Sequence, residues 1–163
     1  MYEKLLVPLD GSKLAECVLP HVEELARSCG TREVILVSVT EGITGYKAAP
    51  EYKPPGPFLQ LRTVSRVPVA VGKKQGQAQR YLGRIAKRLR GKGIEVRSEV
   101  LLGNPAQEIT SFAEHDGVDL IVMASHGRSG LSRWASGSVA ERVFRASSVP
   151  VLMVKAPGSL PGI

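Results

Sequence analysis

The chain has 163 residues, 43% hydrophobic and 23% charged, with a formal net charge of +7. That length and balance suit one globular domain with a substantial core, and no apolar run approaches the ~20 residues of a membrane span. The positive charge permits an anionic partner, whether nucleotide, nucleic acid or membrane surface, without choosing among them.

The first eight residues, MYEKLLVP, pass directly into strand-like sequence. They have no basic n-region, long apolar stretch or small-residue cleavage site, so no signal peptide is expected. Leu5, Leu6 and Val7 form a continuous apolar run, which suits a strand buried on both faces of a parallel sheet. Asp10-Gly11-Ser12 is a turn signal, and Ser12 is a good helix cap. Ala15, Val18, Leu19, Val22, Leu25 and Ala26 then follow one helical stripe, with Pro20 expected to kink it or remove a backbone bond. Cys17 and Cys29 lie in this segment, roughly 18 Å apart at ~1.5 Å per residue, beyond the ~7 Å reach of a disulfide. They are read as small hydrophobes in a reducing compartment, the cytoplasm. Gly30 closes the helix, and residues 34–39 (VILVSV) predict a second strand, completing a βαβ unit.

Residues 43–72 break the pattern. Five prolines (Pro50, Pro54, Pro55, Pro57 and Pro68) interrupt any regular element, and Tyr46, Tyr52 and Phe58 fall without period. An irregular Pro-rich arm is expected there. From about Gln75 a helical stripe returns with Ala78, Tyr81, Leu82, Ile85, Ala86 and Leu89. Its outer face is basic, carrying Lys73, Lys74, Arg80, Arg84, Lys87, Arg88, Arg90 and Lys92. No aromatic is interleaved, so a solvated face is the stronger reading and nucleic acid is not an expected partner.

Residues 94–102 alternate as a third strand, nearer a sheet edge. Asn104, Pro105 and Gln107 together signal a helix start, with Ile109, Phe112 and Ala113 as its buried face. Residues 120–123 (LIVM) predict a fourth strand. Val139, Ala140, Val143 and Phe144 mark a further helix, and residues 151–154 (VLMV) a fifth strand. The expectation is a single domain over residues 1–156, a three-layer α/β fold, followed by a flexible tail at 157–163. Ligands of such sheets bind beyond the carboxyl ends of strands, where strand order reverses.

The stretch after the fourth strand, Ala124-Ser125-His126-Gly127-Arg128-Ser129-Gly130, leads to Gly137-Ser138 at a helix start. Glycines there let backbone approach a ligand, and free N–H groups at a helix start attract anions. Arg128 and Arg133 add positive charge. Neither a Walker-type nor a Gly-x-Gly-x-x-Gly pattern is present. What Ala124-x-x-Gly127, nine residues, then Gly137-Ser138 resembles is the Gly-x-x-Gly-x9-Gly-Ser/Thr signature of the universal stress protein family. The flanks at 118–123 and 149–154, the N-terminal segment Leu6 to Ser12, and Gly103-Asn104-Pro105 resemble it too. The likeness covers nearly the whole chain outside the arm.

The resemblance implies a Rossmann-like, adenine nucleotide alpha hydrolase-like fold with a five-stranded parallel sheet in the order 3-2-1-4-5. It implies a homodimer through the last strand, Val151 to Val154, and, in one branch, ATP binding with Mg²⁺ or Mn²⁺ on the phosphates. Adenosine would lie near Pro8, Leu9, Asp10 and Val39. Phosphates would lie against His126, Gly127, Arg128, Gly137, Ser138, Val139 and Ala140, with Met123, Ala124 and Gly130 completing the nucleotide-binding set. The chain departs from the signature at its first glycine, which is Ala124, and at Trp134-Ala135-Ser136, where more aliphatic residues are expected. A module of the same fold with a vestigial pocket is the alternative. Asp10 is either a ribose or metal contact or an N-terminal turn residue. His126 is either a phosphate contact or a loop-ordering side chain, and Ser138 either a phosphate ligand, a helix cap or both. His21 and His115 are read as surface or structural, and Trp134 as packing. No nucleophile has an evident activating partner, so turnover beyond slow ATP hydrolysis is not expected.

Overall fold

The computed structural model of the chain describes residues 2–40, 69–125 and 138–156. Through them run β1 (Lys4–Pro8), a 3-10 turn (Ala15–Val18), α1 (Leu19–Ser28), β2 (Glu33–Thr40), α2 (Val69–Arg90) and β3 (Val96–Leu102). There follow α3 (Pro105–His115), β4 (Leu120–Ser125), α4 (Ser138–Ala146) and β5 (Val151–Lys155). The strands pair in parallel in the order β3-β2-β1-β4-β5, the order anticipated from the sequence.

The apolar runs form central strands because both faces of the sheet are covered. Leu5, Val7 and Leu9 pack with Val18, Leu19, Val22, Leu82 and Leu89, in the core beneath α1 and α2. Leu6, Ile35, Val37 and Ile121 point the other way, onto Ile109, Ala113 and Val143 of α3 and α4. Each fully buried Leu or Ile contributes about 1.5–3 kcal/mol relative to exposure. The chain adds β2 and β3 on one side of β1, then crosses to add β4 and β5 on the other. Right-handed crossovers therefore put α1 and α2 on one face and α3 and α4 on the other. The direction reverses between β1 and β4.

Local features depart from expectation for physical reasons. Pro20 does not kink α1, because the helix begins at Leu19 and Pro20 occupies its first turn, where a missing N–H is harmless. α2 begins at Val69, so residues 69–72, expected in the arm, are helical. Gly72 and Gly76, poor helix formers, conceal that start in the sequence. Of the four residues that mark α4 in the sequence, Phe144 is 60% exposed, while Val139, Ala140 and Val143 are buried. Both cysteines are free and half-buried. Burial pushes the Cys17 thiol up, as suits a packing residue. Residues 43–68 of the expected arm, the tail at 157–163 and Trp134 lie outside the described residues.

Candidate functional site

The carboxyl end of the sheet is unevenly closed. β1 and β2 stay in register through Pro8↔Val37, and the Leu9 N–H donates to the Val37 carbonyl at 2.8 Å. Gly103 N–H donates to Thr40 O and Ala156 N–H to Ser125 O, both at 3.1 Å, tying β3 to β2 and β5 to β4. Between β1 and β4, however, the described pairing ends at Leu6↔Ile121. Proline is the local cause. Amides along a strand alternate between neighbours, so with the Leu9 amide given to β2, position 8 faces β4 with no N–H to donate. The two strands that flank the reversal of order are therefore unzipped at their carboxyl ends, where an open α/β sheet takes its ligands.

The turn after β1 shapes one lip of this crevice. Asp10 Oδ1 accepts from the Ser12 N–H at 2.8 Å, and Ser12 Oγ accepts from the Ala15 N–H at 3.1 Å, starting the 3-10 turn. Gly11 between them has φ +87°, a conformation that L side chains rarely adopt. Asp10 is thus a turn residue. Its second carboxylate oxygen carries no hydrogen bond among the described residues, so the turn role leaves an acceptor to spare.

The apolar candidates divide between the two faces. Val39, Met123, Val139 and Ala140 share the core on the α3 and α4 side. Leu9 and Ala124 belong to the core on the α1 and α2 side, together with Val154. The structure thus places the end of β2, the end of β4 and the start of α4 in one buried apolar cluster beneath the carboxyl end of the sheet. The Ala124 methyl, 7% exposed, is absorbed by the opposite core and takes no room in that cluster. Ser138 opens α4. His126, Gly127, Arg128, Gly130 and Gly137 lie outside the described residues, as do Arg133 and the side chain of Ser138.

One neighbour of the site was not singled out from the sequence. Tyr81, placed on the core stripe of α2, carries its hydroxyl near Glu16 and Asp10. Burial first, and then the Glu16 carboxylate, push that hydroxyl well above its usual value, so it stays protonated. The helical stripe foretold its burial, and no sequence signal foretold its carboxylate neighbours. Elsewhere, His21 and His115 are exposed, and His115 Nδ1 lies 2.8 Å from the Ser111 carbonyl oxygen. Among the described residues no group of three or more His, Cys, Asp or Glu is placed to hold a metal ion. No described helix is long and apolar enough to cross a membrane.

The fold is an open, doubly wound α/β domain whose strand order reverses between β1 and β4. The family model for the universal stress protein family matches residues 1–155. The chain is 34% identical over 167 residues to universal stress protein MJ0577 of Methanocaldococcus jannaschii, covering 98% of both chains. It is 32% identical to universal stress protein YxiE of Bacillus subtilis, over 95% of this chain and all of that one. The solved structure of MJ0577 superposes with a TM-score of 0.74 at 32% identity, covering 98% of this chain and 99% of the other. The fold alone is shared with a universal stress protein in complex with cAMP (17% identity, TM-score 0.65, 94% and 97% coverage). It is shared likewise with an Arabidopsis thaliana family protein with AMP bound (15%, TM-score 0.57, 95% and 92%). The chain belongs to the universal stress protein family.

Proposed function

We propose that the chain binds an adenine nucleotide, ATP foremost, at the carboxyl end of its sheet, and acts in the cytoplasm as a nucleotide-controlled homodimer in the stress response. The observation that carries this reading is the unzipped end of β1 and β4, bordered by the Asp10 turn and by the apolar cluster of Val39, Met123, Val139 and Ala140. In this reading the base lies against the apolar cluster and the spare oxygen of Asp10 accepts from a ribose hydroxyl. The phosphates, with Mg²⁺ or Mn²⁺, lie on Gly127, Gly130, Gly137 and the first turn of α4. His126, Arg128 and Ser138 add donors. Pro8, Leu9 and Ala124 hold the strand ends in place. Family proteins of this fold that hold cAMP and AMP support an adenine ligand. Nucleotide controls association here and need not be turned over. Isothermal calorimetry of the full chain with ATP, ADP, AMP and cAMP, Mg²⁺ present, is expected to give one site per chain, and silence with all four overturns the proposal.

The dimer forms through β5. This strand lies at the sheet edge, with Leu152 37% exposed and Phe144 of α4 60% exposed nearby in sequence. A competing reading, an interaction module with a vestigial pocket, draws on the same exposed residues and on Ala124 in place of the first signature glycine. Adenine nucleotide released on denaturing the purified protein, detected by mass spectrometry, counts against it.

A further inference from the structure

The positive charge of the chain is confined to one part of it. Between Lys53 and Lys92 lie 11 of its 22 lysines and arginines and none of its 15 acidic residues. The rest of the chain, with 11 basic and 15 acidic residues, carries a net −4. Much of this basic stretch is α2. Every exposed residue of α2 from Gly72 to Arg90 is Gly, Gln, Lys or Arg. At ~100° per residue, Lys73, Arg80, Arg84, Lys87 and Arg88 fall within roughly 100° of arc, opposite the buried Leu82, Ile85 and Leu89.

The cations toward the carboxyl end of α2 are used within the fold. Arg88 and Lys92 pair with Glu23, and Arg90 donates to the Val96 carbonyl. The others are not. The side chains of Lys73, Lys74, Arg80 and Lys87 make no ion pair or hydrogen bond among the described residues, and that of Arg84 makes only a contact over the Tyr81 ring, 5.7 Å from its centroid. Four cations, Lys73, Arg80, Arg84 and Lys87, thus stand free along one ridge, with Lys74 to one side of it. Lys73, Gln77 and Arg80, with Gly72 and Gly76, also line an open concavity of about 630 Å³.

The chemistry of this face selects its partner. From Lys73 to Lys87 it spans about 21 Å at ~1.5 Å per residue, room for several phosphates in a row. A protein partner needs apolar or aromatic anchors, and the exposed face has none. Insertion into a bilayer needs an exposed apolar face, and that of α2 is spent in the core. Stacking of single strands needs aromatics, also missing. What remains is a row of cations, amides and bare backbone suited to the phosphates of a double helix, contacts that carry no base information.

We propose that the outer face of α2 is a docking surface for the phosphate backbone of duplex nucleic acid, independent of sequence. The test is fluorescence anisotropy of a labelled mixed-sequence DNA duplex, about two helical turns long, with the full chain. Four phosphate contacts give a slope near −3.6 in log K against log salt, a loss of about 150-fold between about 50 and 200 mM. The variant Lys73→Gln/Arg80→Gln/Arg84→Gln/Lys87→Gln is expected to abolish binding and leave the thermal melt unchanged, since all four side chains are exposed. A single-site variant, Arg80→Gln, reduces the salt slope by about 1 and keeps the test open should the fourfold variant misfold. No duplex binding at 50 mM salt overturns the proposal. So does duplex binding indifferent to the substitutions, or binding to phosphatidylserine vesicles in place of the duplex.

Discussion

The two ends of the sheet are built on opposite principles. At the amino end, side chains latch neighbouring elements to one another. Asp119 Oδ2 accepts from the backbone N–H groups of Glu3 and Lys4 at 2.9 and 2.8 Å, fastening the start of β4 to β1. Asp116, just past α3, receives Lys4 from β1 and Arg97 from β3, and Arg97 also reaches Glu33 of β2 at 3.2 Å. Thr31 Oγ1 donates to the Tyr2 carbonyl at 2.8 Å. At the carboxyl end no such latch joins β1 to β4 among the described residues, and the nearest side-chain bonds hold only the Asp10 turn. The fold concentrates its side-chain cross-links at the amino end and leaves the carboxyl end, the proposed ligand position, without one between β1 and β4 among the described residues. Damage at the two ends should therefore separate: stability at one, binding at the other.

The largest expected effect lies at the open end. Gly127→Val or Gly137→Val places a branched side chain where backbone must approach phosphate, and each is expected to weaken ATP binding by more than about 100-fold. Calorimetry reads the loss, and an unchanged melting temperature shows that the closed end still holds. Wild-type affinity in either variant would break the contrast. At the closed end, Asp119→Ala leaves two backbone N–H groups without their carboxylate. The expected loss is about 1–3 kcal/mol, or a fall in Tm of roughly 2–12 °C for a chain of this size, with nucleotide affinity per folded molecule unchanged. A variant that melts normally but binds nucleotide poorly would reverse the assignment of the two ends.

The same logic explains which features were legible in the sequence. The central strands announce themselves because burial on both faces demands unbroken runs such as Leu5-Leu6-Val7 and Leu120-Ile121-Val122-Met123. Strand ends follow from the runs, so Pro8, Leu9, Asp10 and Ala124 could be named as candidates in advance, while Val39 was named only through the family resemblance. Three things could not be read. The start of α2 was hidden because β-branched Val69 and Val71, just after Pro68, and then Gly72 and Gly76 are weak helix formers. The outward turn of Phe144 depends on how α4 rolls against β4 and β5, which periodicity over nine residues does not fix. The latches of Asp116 onto Lys4 and of Asp119 onto Glu3 and Lys4 join residues more than a hundred positions apart, and no local pattern marks them.

Lateral association tests whether the partner surface is separate from both ends. Leu152→Arg sets a charge on the exposed edge strand β5, and is expected to convert the homodimer to monomer at micromolar concentration, at least a tenfold loss in association, by light scattering. The opposite edge already carries Arg97 and Glu99 in an ion-pair network, which discourages pairing there. A monomeric wild type would remove the dimer from the proposal and leave the nucleotide site standing.

The smallest expected effect refines the closed end through pH. Glu23 of α1 is 8% exposed and pairs with Lys92 and Arg88 beyond the last turns of α2 and within them. The hydrogen bond from Lys92 leads in holding its carboxyl below the ordinary value, against an opposing desolvation that would raise it. A depressed folded-state value means that the stabilisation is fully present above the unfolded value of 4.5 and disappears as pH falls through the folded one. Because Lys92 and Arg88 are 38% and 48% exposed, solvent screening leaves the pair about 1 kcal/mol at most. Glu23→Gln should accordingly lower Tm slightly at pH 7, and the gap from wild type should narrow as pH falls below 4.5. A gap that stays constant across that window would mean that Glu23 acts through its shape, and that the closed end is held by packing more than by charge.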